Sequence, residues 1–198
     1  MIDAIYQYFY LFCFFLMHIV LFGVQWCGKW TQAANILQEF WSQFAYFSPG
    51  DIFRSLTSRP NALGNFVQET LAEWKLIDDS FTIGLFTLYT QTLQWRAMLL
   101  DGYPRSESQM HDVFAYREET WEQAMWINLS LSQEKAIERM MDRGREDDTP
   151  ETIRQRLKEY NEKTQPLLDL FGQKYPLHTI DASLSIDEVF ANIKKIIE

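Results

Sequence analysis

The sequence predicts an α/β domain built on a parallel sheet, and three observations carry that expectation. Two short, continuous apolar runs closed by small or acidic residues, HIVLFG at 18–23 and AMLLDG at 97–102, read as strands buried on both faces. Segments with helical apolar spacing alternate with such runs along the chain, as repeated βαβ units require. The length of 198 residues, with 47% hydrophobic and 23% charged residues, suits one globular domain with a full core.

The elements follow in order. HIVLFG is the first strand, and TQAANILQEF reads as a helix with Ala33, Ile36, Leu37 and Phe40 on one face. Phe44–Phe47 is a short strand candidate. GDIFRSLTS and LGNFVQETLAE read as two short helices, and DSFTIGLFTLYTQTL as a longer one capped by Asp79 or Ser80. AMLLDG and INLSL are further strands. SQEKAIERMMDR is a helix capped by Ser132. The stretch 149–175 reads as one long helix, with Pro150 in the favoured first position, Thr149 before it and a kink at Pro166. LHTID is the last strand. SIDEVFANIKKII is the last helix, with Ser185 and Glu188 spaced as a capping box. Phe53, Phe66, Phe81 and Phe86 are expected in the core.

Composition narrows the function. A net charge of −9 disfavours a general nucleic-acid binder, which would present a basic face. The two cysteines, Cys13 and Cys27, form no disulfide framework, so a reducing compartment, and hence the cytoplasm, is the default. His18, His111 and His178 lack metal-ligand spacing and are expected to be structural. Residues 1–16 form an apolar, aromatic leader that with 17–24 would be about long enough to span a bilayer. His18 interrupts that run, and no basic residue precedes it. The expectation is that the leader is not native and that the domain occupies 17–198, with membrane attachment as the alternative.

Ligands of open parallel sheets bind beyond the carboxyl ends of the strands, so the chemistry should follow HIVLFG and AMLLDG. After the first comes Gly23-Val24-Gln25-Trp26-Cys27-Gly28-Lys29-Trp30-Thr31. Gly23, Gly28 and Lys29 fit a loop whose backbone N–H groups cradle phosphate while the Lys reaches its oxygens, and the hydroxyl is displaced by one residue to Thr31. The helix that follows would turn its positive end toward the anion. After the second run comes LLDGYPRSESQ at 99–109. There Asp101 could hold the hydration shell of Mg²⁺, and Arg105 could bind phosphate with two hydrogen bonds.

Together these segments resemble the adenylate kinase family over nearly all of 17–198. Supporting stretches are GDIFR at 50–54, KLIDD at 75–79, RGREDDTPETIRQRL at 143–157 and IDASLSIDEVF at 180–190. The resemblance implies a five-stranded parallel sheet flanked by helices, of the P-loop kinase type. It also implies a helical insertion binding the nucleoside monophosphate at 48–78 and a vestigial lid at 143–149. It implies reversible phosphoryl transfer from ATP to AMP with Mg²⁺ held through Thr31 and Asp101, in a monomer without structural zinc. Trp26, Cys27, Gly28, Lys29, Trp30 and Thr31 would hold ATP. Pro49, Arg54, Lys75, Leu76, Ile77, Gly102, Arg105, Gln109, Arg145 and Arg156 would hold AMP. Lys29, Arg105, Arg143, Arg145 and Arg156 would carry the transfer, with Arg143 also closing on ATP. Gln109 would read adenine, where kinases of pyrimidine monophosphates more usually have Asn. Another nucleoside monophosphate kinase, of the UMP/CMP type, is the alternative.

The chain departs from the family pattern in three ways. The lid is short, with only Gly144 between Arg143 and Arg145. Pro49 stands where Thr is usual, which removes a hydroxyl and an N–H near the AMP site. All seven tryptophans (Trp26, Trp30, Trp41, Trp74, Trp95, Trp121 and Trp126) fall where the family has or accepts Gly. The UGA codon means Gly in some bacteria and Trp in other codes, so the pattern predicts glycines read through the wrong code. With the tryptophans as written, the phosphate cradle is obstructed, and an inactive nucleotide-fold protein is the competing expectation.

Overall fold

The computed structural model describes residues 18–40, 44–58, 60–72, 77–93, 96–116, 124–143 and 149–198. The leader, Trp41, Trp74, Trp95, Trp121, Lys75, Leu76, Gly144, Arg145 and the side chain of Arg143 lie outside this description.

Five strands form one parallel sheet: β1 (Ile19–Phe22), β2 (Phe44–Phe47), β3 (Ala97–Asp101), β4 (Met125–Ser130) and β5 (Leu177–Asp181), in the order β2-β3-β1-β4-β5. The central β1 is buried along its whole length, because its alternate side chains feed two cores. Ile19 and Leu21 join Ala33, Ile36, Ile127, Leu129, Val189 and Ile193 on one face. Val20 and Phe22 join Phe47, Phe86, Trp126 and Phe171 on the other. His18 is a structural residue, as expected. It is 1% exposed, and its Nδ1 accepts the Met98 N–H at 3.0 Å, extending the sheet below β1. His111 and His178 are exposed instead.

The helices are α1 (Lys29–Phe40), α2 (Pro49–Thr57), α3 (Ala62–Ala72), α4 (Asp79–Thr90), α5 (Glu107–Ala115), α6 (Gln133–Arg143), α7 (Pro150–Glu159), α8 (Gln165–Lys174) and α9 (Ile186–Ile197). The Ser185–Glu188 capping box is formed on both sides. Four expectations need correction. Asp78, not Asp79 or Ser80, caps α4, accepting the Ser80 N–H. Helix α5 was not expected, yet Ser106 caps it by accepting the Gln109 N–H. The long helix at 149–175 is divided, with a π-helical segment at Tyr160–Thr164 just before Pro166. Pro lacks an N–H and crowds the carbonyl four residues back, so the widened turn absorbs a misfit that was expected as a simple kink. Phe66 is 50% exposed rather than core, and Phe53 and Phe81, which form a ring cluster with it, are half-buried outside the two cores; of the four, Phe86 is the one buried.

No helix among the described residues is long and apolar enough to cross a membrane.

Candidate active site

The loop from β1 to α1 is shaped by backbone that few residues tolerate. Gly23 has φ of 138°, and a Cβ there would sit 2.5 Å from both Cys27 Sγ and the Leu129 carbonyl oxygen. Glycine is therefore required on both counts. Trp26 has φ of 70° and is the one non-glycine with positive φ among the described residues. Lys29 opens α1 and folds over the loop. Its ammonium donates to Gly23 O at 2.6 Å and Val24 O at 2.9 Å, and lies 3.6 Å from Cys27 Sγ. The first turn of α1 carries no acidic side chain, so its positive end is unopposed.

The end of β3 faces this loop. Asp101 pairs in register with Leu21 of β1 and is 7% exposed. The Tyr46 hydroxyl lies 3.0 Å from Asp101 Oδ2 and 3.0 Å from Asp51 Oδ2, and Asp51 forms an ion pair with Arg54. Burial, and then Asp101, push the Tyr46 pKa well above the phenol range. Arg105 curls back so that Nε donates to Gly102 O at 2.6 Å. Its side chain opens to the cleft, but protein surrounds the guanidinium, and this desolvation lowers its pKa. Asp101 and Glu159 oppose that shift, while Arg156 and Arg54 add to it. Three arginines separated in sequence therefore share one electrostatic neighbourhood with the carboxylate that ends β3.

A lysine-bearing loop thus faces a strand-end aspartate and an arginine, on a sheet of order β2-β3-β1-β4-β5. A family model described as adenylate kinase matches residues 21–175. The chain belongs to the adenylate kinase family. It is similar to the adenylate kinase of Oenococcus oeni, at 31% identity over 184 residues covering 91% of this chain and 97% of that one. It is also similar to those of Porphyromonas gingivalis, at 29% over 191 residues (92% and 96%), and Xanthomonas oryzae pv. oryzae, at 31% over 185 residues (90% and 98%). It is thus an enzyme of the nucleoside monophosphate kinase type.

In this adenylate kinase family member a cleft of about 280 Å³, counting its open mouth, lies between the β1–α1 loop, the β3 loop and the π-helical segment. Gly23, Gln25, Lys29, Gly102 and Arg105 line it, as do Tyr160 and Thr164. The last two were missed by sequence reasoning; the π-helical segment carries both, and Thr164 Oγ1 donates to Arg105 O at 3.4 Å. Burial raises the Tyr160 pKa to about 12. Arg139 was also missed. Its guanidinium donates to Trp26 O at 3.4 Å and Ala182 O at 3.0 Å, clasping the loop to the end of β5.

Of the expected site residues, Lys29, Gly102 and Arg105 meet in the cleft, with Arg54 and Arg156 in electrostatic reach of Arg105. Cys27 is 3% exposed and fills the space below Gly23, which suits packing better than chemistry. Gly28 has φ of 97° ahead of α1. Thr31 lies half-buried in the first turn of α1, beside Trp30, which is 56% exposed. Pro49 is buried in the first turn of α2 behind the Ser48 cap, where a missing N–H does not weaken the helix. Ile77 is half-buried ahead of α4. Gln109 is 6% exposed in α5, and its carboxamide is held at both ends, by the Arg105 N–H and by Asp79.

Proposed function

We propose that the enzyme transfers a phosphoryl group reversibly from ATP to AMP, giving two ADP. The observation that carries this reading is that Lys29 and Arg105 line one cleft, with Asp101, Arg54 and Arg156 in electrostatic reach of Arg105. Phosphoryl transfer needs positioning and charge stabilisation more than covalent chemistry. In this reading Lys29 leaves its carbonyl partners for the ATP phosphates. The loop from Trp26 to Thr31 offers N–H groups. Arg105 and Arg156 span the transferring group, and Arg54 holds the AMP phosphate. Gln109, with Pro49, Lys75, Leu76, Ile77 and Gly102, forms the AMP side within the 48–78 insertion and the β3 loop. Arg143 and Arg145 close a short lid at 143–149 that excludes water.

The donor set near the loop fits Mg²⁺. Thr31 and Asp101 offer only oxygen ligands, which a hard cation prefers, and the Tyr46 hydroxyl steadies one Asp101 oxygen. Bound with ATP, Mg²⁺ would neutralise charge on the phosphate oxygens. The reading places the enzyme in the cytoplasm as a monomer.

Formation of ADP from ATP and AMP, compared with UMP and CMP as acceptors, tests the reaction. Transfer to UMP or CMP in preference to AMP would refute the AMP assignment. A second reading, an inactive nucleotide-fold protein, is favoured by one observation, the positive φ at Trp26 with its indole in the phosphate loop. It predicts neither ATP binding in a titration nor turnover.

A further inference from the structure

We propose that Asp79, at the start of α4, is a specificity-determining residue that sets the orientation of the Gln109 carboxamide and so selects adenine over 6-oxopurines. The inference rests on the AMP site proposed above. Gln109 Oε1 accepts the Arg105 backbone N–H at 2.8 Å, and Gln109 Nε2 donates to Asp79 Oδ1 at 2.7 Å. Neither end can be reversed. A backbone N–H can only donate and an ionised carboxylate can only accept, so a flipped amide would set two donors and two acceptors against each other. Asp79 is itself held. Its Oδ2 accepts the hydroxyls of Ser106 and Ser108, each at 2.6 Å, and Ser106 caps the helix that carries Gln109.

The consequence is chemical. After these bonds the amide keeps one N–H and one oxygen lone pair, in a fixed order. Adenine offers N6–H as donor beside N1 as acceptor, whereas hypoxanthine offers O6 as acceptor beside N1–H as donor. With the base held in one orientation by its ribose and phosphate, a carboxamide of fixed polarity matches one purine and opposes the other. Without Asp79 the Nε2 end loses its acceptor, so only the Arg105 N–H opposes a flip and pairing with the other base costs less.

Calorimetric titration of the full chain with AMP and with IMP tests this. The unaltered chain should bind AMP more tightly than IMP by about tenfold or more. Asp79→Ala should reduce that ratio by about tenfold, mainly through weaker AMP binding, with ATP binding unchanged. Asp79→Asn keeps an acceptor oxygen and should retain most of the ratio. Undiminished preference for AMP in a folded Asp79→Ala overturns the inference and leaves the proposed function standing. Failure of the unaltered chain to bind either monophosphate refutes the proposed AMP site itself. A measurement on the unaltered chain covers the case of an unfolded variant. The Gln109 side-chain amide protons should exchange with solvent more slowly than those of the exposed Gln38 and Gln68, and equal rates would overturn the inference.

Discussion

The tryptophans at positions 26 and 126 occupy opposite environments, so replacing each with glycine should have opposite effects. Trp126 is 0% exposed in β4, with ring centroids 4.4 Å from Phe171, 5.7 Å from Tyr175 and 6.0 Å from both Phe22 and Phe114. Truncating such a ring costs about 3–5 kcal/mol, and glycine within a strand about 0.5–1 more. For a chain of this size each kcal/mol lowers the melting temperature by about 2–4 °C, so Trp126→Gly should melt about 7–24 °C lower. Trp26 is half-buried at φ of 70°. Glycine there relieves about 1–2 kcal/mol of left-handed strain, offset by lost indole contacts and chain entropy, so the melting temperature should shift by only a few degrees. Nucleotide binding should change instead. Each loop N–H restored to a phosphate oxygen is a charge-assisted bond worth about 1.5–3 kcal/mol, so Trp26→Gly with Trp30→Gly should tighten ATP binding at least about tenfold and raise turnover. Differential scanning calorimetry and ATP titration are the assays. If Trp26→Gly melts as low as Trp126→Gly, or the double variant binds ATP no better than the parent, the strain argument at position 26 fails.

Gly23→Ala should destabilise the chain by more than about 2 kcal/mol in urea unfolding, because its Cβ would meet Cys27 Sγ and the Leu129 carbonyl at a φ that alanine rarely adopts. Wild-type midpoints would refute that. Tyr46→Phe removes the hydroxyl between Asp51 and Asp101 and should lower stability by about 1–3 kcal/mol. An unchanged midpoint would mean that water replaces the hydroxyl at no cost. The Ser185 hydroxyl, and then its N–H, hold the Glu188 pKa below the usual carboxylate value. Because the folded pKa is depressed, the stabilisation is present above the unfolded value of about 4.3 and is lost as pH falls through the lower folded value. Melting temperature should fall less steeply in acid for Glu188→Gln than for the parent, and identical slopes would show that the box does not titrate. The seven tryptophan codons should read UGA, and UGG at several of them would end the decoding hypothesis.

Much of the fold was legible because its signals are local. β1 and β3 announce themselves as apolar runs, and Ser185 with Glu188 caps α9 across three residues of sequence. The β1–α1 loop and the segment from Asp101 to Gln109 stood out as candidates for the same reason, since each is a short peptide following a strand. Helix α5 was hidden because ESQMHDVFA is short and polar at its start, inside a motif already read as a binding loop. Phe66 misled because an aromatic at helical spacing marks an apolar face without saying whether another layer covers it.

By itself, then, the sequence determined the family, the strand-and-helix alternation and the candidate site segments, because each is written in contiguous residues or fixed spacings. Only the tertiary structure decided what holds those residues in place. Asp79 reaches Gln109 across 30 residues, Tyr46 reaches Asp101 across 55, and Arg139 reaches Trp26 across 113. The reason is the crossover order of the sheet. The order β2-β3-β1-β4-β5 sets strands side by side that are distant in the chain, so contacts at their carboxyl ends follow the sheet and not the spacing of residues.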